Sequence, residues 1–159
     1  ESFTLSCLGR ILKISLASHV ILGIIAIIFF YAVWLNLFKQ KLNLKLLKFS
    51  SLTGLIAFLL SWLTGGYYYV VYYGNAVRPG IKGGQFPWAH TIVMEAKEHI
   101  FLFLPFLAAI SFIVLWFFGQ TIATDAKLKK GLLFINAVIA VIGTAIALSG
   151  IIISGAIRQ

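Results

Sequence analysis

"LASHVILGIIAIIFFYAVWLNLF", residues 16–38, contains no titratable side chain but His19 and Tyr31. Wound as an α-helix at 1.5 Å per residue it reaches about 34 Å, a little more than the roughly 30 Å of hydrocarbon in a bilayer. Three further apolar runs follow, at about 52–73, 89–118 and 132–157, the second of them uninterrupted only from His99 onward. The chain is 61% hydrophobic and 11% charged, where a soluble domain carries about a quarter charged residues. The reading is an all-α integral membrane protein, a four-helix bundle with an extended third helix. No Ser-, Pro- or Gly-rich linker interrupts it, so residues 1–159 form a single transmembrane domain. Arg10 and Lys13 between apolar positions in 8–15 suit a short amphipathic lead-in helix in the headgroup region. A start at Glu1 rather than Met suggests processing or preceding residues, and no signal peptide is expected.

Charge then orients the bundle. The connections 39–48 and 120–130 are rich in lysine, whereas 74–88 holds only Arg78 and Lys82. The positive-inside bias puts the two lysine-rich loops in the cytoplasm and the termini with the central loop outside, although Arg10 and Lys13 run against it. The net charge of +9 is spread over loops at headgroup level, with no basic stripe among stacking aromatics, so it speaks for lipid and not for nucleic acid. A lone Cys7 rules out a disulfide framework or a thiolate cage, leaving His, Glu and Asp for any metal. No nucleophile elbow or phosphate-binding glycine loop is present.

The stretch that invites chemistry is "PWAHTIVMEAKEHIFLFLPF", residues 87–106. At 100° per residue, Thr91, Glu95, Glu98 and His99 share one face of the third helix, while His90, Val93 and Lys97 point the other way. His19, in the first turn of the first membrane helix, falls at a similar depth to His99. Gly23 and Ala26 lie beside His19, and Thr64, Gly65 and Gly66 sit in the outer half of the second helix. Small residues beside a histidine admit a flat macrocycle. A b-type haem with His19 and His99 as axial ligands fits this pattern, with Gly23, Gly65 and Gly66 against the ring and Arg78 or Lys82, or else Arg10 or Lys13, on the propionates. His90 ranks below the other two as a ligand. Interfacial packing of the same histidines is the competing reading.

Glu95 and Glu98 repel each other and need a compensating partner. Three uses stand open: a salt-bridge clasp on the central loop with Arg78, Arg10 or Lys13; proton coupling beside a redox centre; or a non-haem metal held with His99 and His19. The tyrosines 67, 68, 69, 72 and 73 suit an outer aromatic belt, or the lining of a cofactor or quinone headgroup. Pro105 predicts a kink by freeing the Phe101 carbonyl. Gly143, Ala147, Gly150 and Ser154 give the fourth helix a small-residue packing face.

With a His opening the first helix (His19), Thr64-Gly65 near the end of the second, and a His opening the third (His99 or His90), the chain resembles an uncharacterised family of small four-helix bacterial membrane proteins. It is also similar to the broader group of four-helix b-type membrane cytochromes. It departs from the former in carrying Val20 where a proline follows the first histidine, and in the "MEAKEH" of residues 94–99. The resemblance implies electron transfer with a quinone or another membrane or redox protein. The alternative is an accessory or structural subunit of a larger membrane complex with no cofactor of its own, favoured by a chain with almost no soluble mass.

Overall fold

The computed structural model describes residues 2–156, with side chains from residue 8 onward. The first rod is one helix, α1 (Ser2–Leu37), so the lead-in segment is not a separate element but the unbroken N-terminal end of the membrane helix. Apolar positions continue through Leu8, Ile11, Leu12 and Ile14, and no Pro or Gly pair stops the helix there. Asn36, Asn43 and a short turn end this rod. The Asn36 Oδ1 accepts the Asn43 N–H at 3.3 Å, and Asn43 caps α2 by accepting the Leu46 N–H at 3.1 Å.

The second rod is longer than the hydrophobic run suggests. α2 (Leu44–Tyr68) passes without a break into a π-helix, π1 (Tyr69–Val77), and then into α3 (Arg78–Gly83). The third begins with a second π-helix, π2 (Ala89–Met94), continues as α4 (Glu95–Phe101), breaks at Leu102 and resumes as α5 (Phe103–Ile122). That break lies where Pro105 lacks the N–H that would meet the Phe101 carbonyl, as the sequence predicts. The fourth, α6 (Ala126–Ala156), starts at Asp125, whose carboxylate accepts the Lys127 and Leu128 N–H groups at 2.8 and 3.1 Å.

All four rods are long and apolar enough to cross a membrane. α1 packs on α2 and α6, and α5 packs on the same two, so the first and third rods lie on one diagonal and the second and fourth on the other. The side-chain distribution is that of a protein dissolved in lipid. Large apolar groups such as Phe106, Phe117, Phe134 and Ile151 face outward, while Ser50, Ser51, Ser61, Ser111 and Asn136 are buried. Lipid tails are as apolar as Leu, so the interior gains instead from close backbones and interhelical hydrogen bonds. Gly54 is one such approach: a Cβ there would stand 2.7 Å from the ring of Phe30, which stacks on Phe58 at 5.7 Å. In the middle of the bundle the Ser111 hydroxyl donates to Asn136 Oδ1 at 3.1 Å, and the Asn136 amide donates to the Leu132 carbonyl at 2.8 Å.

Three apolar layers stack along the axis. Val33, Leu37, Leu47, Leu115, Ile122 and Leu132 close the lysine-rich end, Ala26, Phe30, Phe58, Leu104 and Ile139 fill the middle, and Tyr73, Ile81, Ala89 and Ile153 close the opposite end. Lys129 Nζ donates to the Lys39 carbonyl at 3.0 Å, tying the two lysine-rich connections together at one end. The opposite end, where π1 meets π2, holds the polar residues singled out above.

Candidate functional site

Two polar clusters occupy that end. In the first, His90 is the centre. Its side chain is 1% exposed, and its Nδ1 shares a 3.1 Å hydrogen bond with the Tyr73 hydroxyl. Its Nε2 stands 3.9 Å from Glu95 Oε1 and has no hydrogen-bond partner. Tyr69 stacks on Tyr73 at 5.2 Å, and the Glu98 carboxylate faces Tyr69. Glu98 Oε1 is likewise buried without a partner. Arg78 and Lys82 lie within Coulombic reach of His90.

This overturns the helical-wheel expectation. A regular α-helix would send His90 and Glu95 to different faces, since five residues advance 500°. π2 takes more than four residues per turn, so residues five apart come round to roughly the same side and the imidazole stands near the carboxylate. Opposite, Tyr69 and Tyr73, four residues apart in π1, both turn to the inner side. The tyrosine cluster therefore divides: Tyr67 and Tyr72 are exposed as belt residues, whereas Tyr73 is buried against His90.

The second cluster surrounds His19. Its Nδ1–H donates to the Ser61 carbonyl at 2.8 Å, while the Ser61 hydroxyl donates back to the His19 carbonyl at 2.9 Å. The imidazole lies flat over Gly65, where any Cβ would collide with it, and meets Phe101 edge-on at 6.2 Å. Gly65 thus admits the histidine itself. Gly23 faces Ser61, where a Cβ would sit at 3.4 Å, and Gly66 faces open space. Lys97 is part-buried with its Nζ over Gly150, on the same side of α4 as His19.

His99 is exposed, and its Nδ1–H donates to the Glu95 carbonyl at 2.7 Å. Lys97 and Phe101, four apart, present the face of α4 that meets His19, and His99 lies about 200° around the helix from each. The structure therefore does not bring His19 and His99 together, and the groove between α1 and α2 beside Gly65 is filled by the His19 ring. Nor does His99 share the Glu95 and Glu98 carboxylates with His19. Among the described residues, no three His, Cys, Asp or Glu side chains converge on a common point.

Sequence reading missed Tyr73, Ser61 and Phe101 as partners. Ser61 carried a signal, as a hydroxyl four residues before Gly65 on one face of the second helix; Tyr73 stood among five tyrosines with nothing to set it apart, because its meeting with His90 depends on the π-helical register. In comparisons with known proteins, no family model, no curated protein and no solved structure matches the chain.

Proposed function

We propose that the protein is an accessory subunit of a larger membrane complex, with an ion- or ligand-holding centre around His90 at the end of the bundle opposite the lysine-rich loops. One observation carries this reading: His90 Nε2 and Glu98 Oε1 are both buried without a partner in a single cluster. An unmet polar group costs on the order of 1–3 kcal/mol, and more when charged, and at membrane depth such groups mark functional positions. Two π-helical segments meeting at the same spot support it, since departures from α geometry in membrane helices concentrate at working sites. The described connections between rods are short, so whatever the chain does is done at or within the bilayer.

Electron transfer through a b-type haem is the second reading. Its support is that His19 and His99 each donate Nδ1–H to a backbone carbonyl, which leaves Nε2 bare in the tautomer a metal ligand needs. Their opposed directions make the first reading the better one.

Extraction from the native membrane in mild detergent, followed by light scattering and visible spectra of the oxidised and dithionite-reduced forms, separates the two. An assembly well above 17.6 kDa with a featureless spectrum is the expected result. A lone chain with a Soret band that is lost in both His19→Ala and His99→Ala would sink it.

A further inference from the structure

We propose that the lysine-rich end of the bundle binds the phosphate headgroup of an anionic phospholipid, in a seat made by Lys45 and Lys48 on α2 and by Trp116 and Gly119 on α5. The inference concerns the end opposite the polar centre and does not rest on it. Charge sets the class of occupant. The two connections at this end carry four lysines in 39–48 and three in 120–130, against a single acid, Asp125. That carboxylate already accepts the first N–H groups of α6. Among the described residues none of these lysines forms an ion pair with a carboxylate. Cations at the edge of hydrocarbon draw a counter-charge, and here the protein supplies none, so the membrane's own anions provide it.

The level of the lysines separates a lipid from a water-borne partner. Only residues 38–43 and 123–125 join the rods here, so the cations rim the bundle instead of standing on loops above it. Phe38, Phe49, Trp116 and Phe117 are exposed at the same end, as aromatics at a headgroup boundary are. Lys48 is the most ordered part of the seat. Its ammonium stands 5.4 Å from the centre of the Trp116 ring, a cation–π contact that holds it in place. Its stem runs over Gly119, where a Cβ would come within 3.4 Å of the Lys48 Cε. The side chain therefore crosses from α2 to α5 with its methylenes on protein and its charge beside a lipid-facing ring. Lys45, exposed and three residues earlier, is its neighbour on α2, so the two ammonium groups present themselves to one phosphate. A zwitterionic lipid carries its own cation next to the phosphate; an anionic lipid does not, and it gains from both lysines.

The test is native mass spectrometry of the full chain, delipidated in a non-ionic detergent and titrated with phosphatidylglycerol or with phosphatidylcholine of the same acyl chains. Saturable binding of phosphatidylglycerol is expected, at least about tenfold tighter than that of phosphatidylcholine. The affinity should fall at least about tenfold in Lys45→Gln/Lys48→Gln and stay unchanged in Arg10→Gln/Lys13→Gln, which removes the same charge from the opposite end. Lys45 is exposed, so if the double variant fails to fold by circular dichroism, Lys45→Gln alone decides, with an expected loss of about fivefold. Equal binding of the two lipids, or lysine variants that fold and bind phosphatidylglycerol as the parent does, overturns the proposal. So does release of the lipid by an equal concentration of inorganic phosphate or of a poly-glutamate peptide, which would assign the seat to a free anion or to an acidic protein segment.

Discussion

Single residues show how tightly the polar end is built. Gly65→Ala would drive a Cβ into the His19 ring, displacing an imidazole held by the Ser61 carbonyl. The expected cost is about 1–3 kcal/mol, read as a lower midpoint of SDS-induced unfolding. Its neighbour supplies the control: Gly66 has nothing within 4 Å, so Gly66→Ala leaves the midpoint unchanged or raises it slightly, alanine being the better helix former. In the centre, Asn136→Ala removes the partner of the Ser111 hydroxyl and is expected to cost about 1–2 kcal/mol by the same assay. Sequence alone offered Gly65 as a surface for a cofactor. Only the placement of His19 shows that the space is taken by a side chain of the neighbouring helix.

At the scale of elements, the two π-helices decide which residues meet. The extra residue per turn in π2 aligns His90 with Glu95, so removing one residue from that segment returns it to α geometry and separates them. Ile92 is the residue to delete, because it faces outward at 65% exposure and contributes nothing to the core. Deletion of Ile92 is expected to preserve helical circular dichroism and membrane insertion while costing about 1–3 kcal/mol in SDS-induced unfolding, as the buried Tyr73–His90 hydrogen bond is lost. An unchanged midpoint would show that the register does not matter to the site. Hydrophobic periodicity could not reveal π1 or π2, since both lie in aromatic and apolar sequence where 3.6- and 4.4-residue turns bury equally well. The break between α4 and α5 was legible, because Pro105 forbids one hydrogen bond whatever surrounds it.

For the whole molecule, the antiparallel rods put both lysine-rich connections at one end, joined by the Lys129 to Lys39 contact, and the positive-inside bias predicts that this end faces the cytoplasm. With Cys7 replaced by Ser, a cysteine at Gly83 should react with a membrane-impermeant maleimide on intact cells, and one at Lys41 only after permeabilisation. The reverse pattern would invert the topology. Composition and run length determined the all-α, four-rod membrane bundle by themselves, because a bilayer demands about 20 apolar residues per crossing and internally satisfied backbone, and the sequence supplies four such stretches. The candidate residues His19, Glu95, Glu98 and Arg78 were legible too, since titratable groups stand out against so apolar a chain. Which of them meet was decided only by tertiary structure. A wheel drawn at 100° per residue paired His99 with Glu95 and Glu98 and set His90 aside; the π-helical turns rotate His90 onto Tyr73 and Glu95, and with the Phe101 face of α4 toward His19, His99 turns outward. Direction around a helix accumulates with every residue, so one local departure from α geometry reassigns every side-chain partner beyond it.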